Sequence, residues 1–117
     1  MFRFQKFAVY PKIKEFIKQC YILSYKFPKQ EQFELASQLR RAATSILLNL
    51  AEGSAKKSDA ELNRFLMMAV GSLSEVVAIL DIAEAQGYIS TETYQKFSAN
   101  VESIAKQLYG FSRKLKS

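Results

Sequence analysis

Residues 39–53 read LRRAATSILLNLAEG, an apolar helical pattern that carries Arg41, Ser45, Asn49 and Glu52 along one of its own sides. Spacings of four, four and three residues keep these polar groups within about one quadrant of a 3.6-residue helix. Such a line is either an interhelical network or a site. Extended backwards, the same segment carries Leu35, Leu39, Ala42, Ile46, Asn49 and Gly53, a heptad-like seam that turns polar toward its end. This predicts one helix, over about 31–53, that packs against others.

The rest of the chain repeats that pattern. Pro11 suits a first helical turn, and Ile13, Phe16, Cys20, Leu23 and Phe27 recur at spacings of three and four until Pro28, predicting a helix over about 11–27. Ser58 and Glu61 form a Ser-x-x-Glu capping box. The helix it opens, about 58–86, bears Leu62, Leu66, Ala69, Leu73, Val76, Leu80 and Ala83, with Gly87 where a left-handed terminator belongs. Ser90 caps a fourth helix, about 90–115, whose seam is Tyr94, Phe97, Val101, Ile104, Leu108, Phe111 and Leu115. No segment alternates with period two. Four amphipathic helices with short connections predict an all-α, antiparallel up-down four-helix bundle, and 117 residues suit a single domain over 1–117.

Composition narrows the chemistry. The chain has no His and one Cys, Cys20, which removes imidazole acid–base catalysis, Ser-His and Cys-His nucleophiles, ordinary zinc sites and any internal disulfide. Cys20 is expected as a small buried apolar residue in a reducing cytoplasm. The longest apolar run, 65–70, is far shorter than the roughly 20 residues that span a bilayer, and the N-terminus lacks the apolar stretch of a secretory signal. The expectation is a cytoplasmic protein with no membrane partner.

The net charge of +6 is uneven. Residues 1–29 hold seven basic side chains against Glu15 alone, and residues 106–117 hold Lys106, Arg113, Lys114 and Lys116 with no acid. If the first and last helices lie side by side, their charges add into one surface. Lys14, Lys18, Tyr21 and Tyr25 share a flank of the first helix, and Lys96, Lys106 and Arg113 share a stripe of the fourth with Ala99, Ser103 and Gly110. Cations beside stackable rings suit RNA or single-stranded DNA. The candidate nucleic-acid contacts are therefore Lys14, Lys18, Tyr21, Lys106, Arg113 and Lys114. A solvated face with core-packed aromatics is the plainer alternative, and the small residues of the stripe also permit close subunit contact.

The polar line has a counterpart in Ser72 and Glu75 on the third helix, so Arg41, Ser45, Asn49, Glu52, Ser72 and Glu75 are expected to form a structural network fixing helix register. Glu52 and Glu75 resemble the carboxylates of a di-metal bundle, but the Glu-x-x-His ligands of such sites are missing. Ser54-Ala55-Lys56-Lys57 matches a Ser-x-x-Lys pattern without the other motifs of that enzyme class. No catalytic residue, metal or cofactor is expected.

In the order of its residues the chain resembles the four-helix bundle proteins encoded in intervening sequences of 23S ribosomal RNA genes. The residues that match are Phe27-Pro28-Lys29 with Glu31 and Leu35, Gln38-Leu39-Arg40-Arg41-Ala42, Ser45-Ile46, Asn49, Ala51-Glu52-Gly53, Ala69, Gly71-Ser72 and Glu75. The resemblance spans most of 27–89. Residues 46–49 lack the proline many relatives have before the Asn, and Leu50 replaces a common Ile. The resemblance implies a bundle that assembles into a five-membered homo-oligomeric ring, with no known catalytic activity. It also implies kinship with the accessory bundle of diversity-generating retroelements, which binds nucleic acid and reverse transcriptase. The expected partners are thus the protein itself, RNA or DNA, and a reverse transcriptase as the alternative.

Overall fold

The computed structural model describes residues 1–115, so Lys116, one of the C-terminal cations, lies outside the described residues. Its elements are a 3-10 turn at Arg3–Lys6, α1 at Tyr10–Ser24, a second 3-10 turn at Lys29–Glu31, α2 at Leu35–Ser54, α3 at Asp59–Ala85 and α4 at Thr91–Lys114. Among the described residues there is no strand. Each of α1, α2 and α3 packs on its successor, and α2 with α3 makes the most extensive interface. Of the four neighbouring helix pairs, α1 and α4 make the least contact, which closes the bundle loosely on that side.

The seams do what their periodicity dictates. Every residue expected in the α1 and α3 seams is buried, and Phe97, Val101, Ile104 and Leu108 of α4 join them. The α2 seam shifts by one position: Leu50 is fully buried and Asn49 is only half-buried, because the apolar side of the helix leaves the Asn at its margin. Cys20 is buried, and desolvation pushes its thiol up to about 12, away from any nucleophilic role.

Helix ends differ from the sequence expectation by a few residues, each with a local reason. Helix α1 stops at Ser24 rather than 27: Pro28 has no N–H to offer the Ser24 carbonyl, and the Gln32 side-chain amide donates to the carbonyls of Ser24 and Phe27 instead, both at 2.9 Å. Helix α2 begins at Leu35 rather than 31, after the second 3-10 turn. At α3 half of the capping box forms: the Ser58 hydroxyl accepts from the Glu61 amide at 3.1 Å, while the Glu61 carboxylate turns to Arg64 at 3.6 Å. Gly87 terminates α3 with φ +78°, and the Tyr88 amide reaches back to the Ala83 carbonyl at 2.8 Å. The Ser90 hydroxyl accepts from the Thr93 amide at 3.0 Å and starts α4.

Helix α3 averages a hydropathy of 1.9 over 18 residues, apolar enough to cross a membrane by length and composition although its uninterrupted apolar run is short. In the bundle it is the central helix between α2 and α4, with 44% of that window buried. Its outward side keeps Met68 and Ile82 exposed, and Leu48 of α2 is 61% exposed.

Candidate nucleic-acid interface

The loose side of the bundle, between α1 and α4, is a seam bridged by large side chains. Phe7, in the segment leading into α1, meets Phe111 edge to face at 4.7 Å between ring centres, Phe16 meets Phe97 at 6.0 Å, and the Lys12 ammonium donates to the Ser103 hydroxyl. Rings that hold two helices apart leave hollows between them. Three clefts follow the seam, of about 450, 190 and 160 Å³. The first is lined by Lys6, Phe7, Val9, Gln107, Phe111 and Lys114, among others. The second includes Lys12, Glu15, Phe16 and Asn100, and the third Lys26, Lys96 and Phe97. Five lysines thus face one carboxylate, Glu15, along a groove floored by aromatic and aliphatic side chains.

The six residues expected to contact nucleic acid do not gather there. Lys114 lines the first cleft. Lys14 and Tyr21 lie on the flank of α1 toward α2: the Lys14 ammonium sits 5.6 Å from the Tyr10 ring centre, and the Tyr21 hydroxyl is 3.1 Å from Thr44 Oγ1. Exposed Lys18 shares that flank. Lys106 and Arg113 lie two and nine residues past buried Ile104, about 200° and 180° around α4, and so point out of the bundle. Lys6, Lys12 and Lys26 are the groove cations that the sequence reading passed over. For Lys12 and Lys26 the signal was the recurrence of Lys12, Gln19 and Lys26 every seven residues, opposite the aromatic flank of α1; Lys6, in the first 3-10 turn, had none.

The polar line of α2 divides in the same way. Ser45 Oγ and Ser72 Oγ are 2.9 Å apart across the α2–α3 interface, and Asn49 Nδ2 donates to both the carbonyl and the hydroxyl oxygen of Ser45 at 3.0 and 3.1 Å. Arg41 and Glu75 line an open polar cleft of about 400 Å³ beside this trio, with Gln38, Ala42 and Ser45. Both are exposed, as is Glu52, and among the described residues the side chains of all three lack ion pairs and hydrogen bonds. Three side chains are brought together, and three stand out in solvent.

A different polar cluster, centred on Arg40, carries the connection from α1 to α2. Its guanidinium donates to Ser24 Oγ at 2.9 Å and to the Gln32 carbonyl at 2.8 Å, and it lies 5.1 Å from the Tyr25 ring centre. The Tyr88 hydroxyl donates to Glu31 at 2.9 Å, which raises the Tyr88 pKa and ties the α3–α4 turn to the second 3-10 turn. Among the described residues, no group of three or more Cys, Asp or Glu side chains is placed to hold a metal ion.

Known proteins share this architecture. A crystal structure of a protein of unknown function from the S23 ribosomal protein family of Bacteroides thetaiotaomicron superposes with a TM-score of 0.83. It is 25% identical and covers 92% of this chain and 100% of its own. No curated protein matches the sequence. The model of the 23S rRNA-intervening sequence proteins matches residues 5–110, nearly the whole chain, and the protein therefore belongs to that family.

Proposed function

We propose that this protein is a non-enzymatic, homo-oligomeric RNA-associated protein of the cytoplasm that meets phosphates along the α1–α4 groove. The observation that carries this reading is the groove itself, where Lys6, Lys12, Lys26, Lys96 and Lys114 face Glu15 alone. Lysines that neutralise phosphates release condensed counterions, so affinity for RNA is expected to fall steeply with salt. If about four phosphates are engaged, the log–log slope is near −3 for a single strand. Charge reversal of Lys26 and Lys96 is expected to flatten that slope by about 1.4, at roughly 0.7 per lost contact. The outer-face pair Lys106 and Arg113, and the flank of Lys14, Lys18 and Tyr21, form parallel sets whose reversal reports whether RNA wraps beyond the groove. Salt-independent association, or none at low ionic strength, overturns the reading.

Self-association is the second part of the proposal, and the family resemblance implies a ring of five. A closed ring needs two different faces of one protomer to meet. Exposed Leu48, Met68 and Ile82 offer apolar contact points on α2 and α3 for one of them. Light scattering after size exclusion is expected to give about five times 13.4 kDa. A monomer would remove the ring and leave this face for the alternative, an accessory scaffold docked on a protein such as a reverse transcriptase.

A further inference from the structure

The first cleft of the groove differs from the other two in size and lining. At about 450 Å³ it falls within the size range of small-molecule sites. Its walls are Phe7, Val9 and Phe111, its polar groups are Gln107 and the two exposed lysines Lys6 and Lys114, and none of its lining residues is acidic. Phe7 and Phe111 meet at 83°, edge to face, and both are only half-buried, so ring surface is left to the cleft. Gly110 lies on the same wall and adds no side chain to it. An apolar slot flanked by two ammonium groups is complementary to a flat ring carrying phosphates on either side.

We infer that the protein takes RNA as a single strand, laying one unstacked base in the cleft against the exposed surface of the Phe7–Phe111 ring pair, with its flanking phosphates on Lys6 and Lys114. The inference rests on the RNA reading of the groove and specifies its substrate. A duplex offers the lysines the same phosphates but keeps its bases paired and stacked, so it engages the rim and leaves the slot empty. Gln107, at the same wall, supplies an amide that both donates and accepts, suited to a base edge. One seated base is worth about tenfold in affinity.

Gly110 provides the test. A Cβ built there meets only Arg113 Nη2, at 3.8 Å, so the fold accommodates a larger side chain at the rim of the cleft, where leucine would narrow its mouth. Gly110→Leu also replaces a poor helix former within α4, so its thermal midpoint is expected to stay level or rise. The full chain would be titrated at fixed salt with a labelled 12-nucleotide oligouridine and with an RNA duplex of equal length. Wild type is expected to bind the single strand about tenfold tighter. Gly110→Leu is expected to lose that preference while keeping duplex affinity and salt slope, since no lysine has changed. Equal wild-type affinities, or a variant that retains the preference, overturn the inference and leave the RNA reading intact. Absence of binding to either RNA overturns both. The wild-type comparison needs no substitution, so it decides even if the variant misfolds.

Discussion

Replacing Gly53 with valine is expected to lower the unfolding free energy by about 3 kcal/mol, and even alanine, the better helix former, is expected to cost about 1–2 kcal/mol. Gly53 lies in the last turn of α2, buried where the short 55–58 connection brings α3 back against it. A Cβ built on Gly53 would fall 2.6 Å from Phe65 Cβ and 3.2 Å from Leu62 Cδ1. The first of these neighbours sits next to the α3 backbone and cannot rotate away. The helices must separate, and α2–α3 is the interface that holds most of the bundle together. Alanine gains about 1 kcal/mol of helix propensity, which overpacking outweighs. Urea unfolding would show a lower midpoint with an unchanged m-value. An alanine variant as stable as wild type would mean that the two helices part at little cost.

The four helices were legible because burial imposes a period on side chains, and nearly every seam residue chosen for that period is in the core. The caps at Ser58 and Ser90 and the left-handed Gly87 were legible for a similar reason, since their chemistry is local. The expected six-residue network needed more than a spacing. Asn49 lies about 80° around α2 from Arg41, toward the buried side, whereas Glu52 lies only about 20° from Arg41. A single quadrant therefore runs from the margin of the core out to open solvent. On α3 the same geometry buries Ser72 and exposes Glu75. Gly53 was visible as a seam residue, but the reason it is glycine depends on how closely two helices approach, which no single-helix period reports.

The groove was half legible for a related reason. Clustering of cations at both chain ends is a property of composition, and adjacency of α1 and α4 follows from up-down topology. Which cations share the seam depends on how each helix is rotated about its axis. The aromatic flank of α1 drew attention to Lys14 and Lys18, but Tyr21 is spent on Thr44 and Tyr25 on Arg40, so that flank packs toward α2. The opposite flank, with Lys12 and Lys26, is left for α4.

Arg40→Met is expected to cost about 3 kcal/mol, and it bears on that rotation directly. Methionine keeps much of the length and apolar contact of arginine but donates nothing. Its loss leaves the Ser24 hydroxyl, fully buried and already donating to the Tyr21 carbonyl at 2.7 Å, with no donor to accept from. The Gln32 carbonyl loses its donor as well. Hydrogen bonds to charged groups contribute about 1.5–3 kcal/mol each, and sharing one guanidinium keeps the two from adding fully. Arg40→Lys is expected to recover only part of the loss, because one ammonium on a flexible stem cannot serve both acceptors as a planar fork does. The same Gln32 also caps α1 through the Ser24 and Phe27 carbonyls. Freed from Arg40, residues 24–32 should open locally, so amide exchange there is expected to accelerate more than in α3. Lys26 lies within that stretch, and its place on the groove depends on the α1 terminus that Arg40 fixes. If Arg40→Met unfolded at the wild-type midpoint with unchanged exchange in 24–32, the α1–α2 junction would be held by its apolar contacts alone.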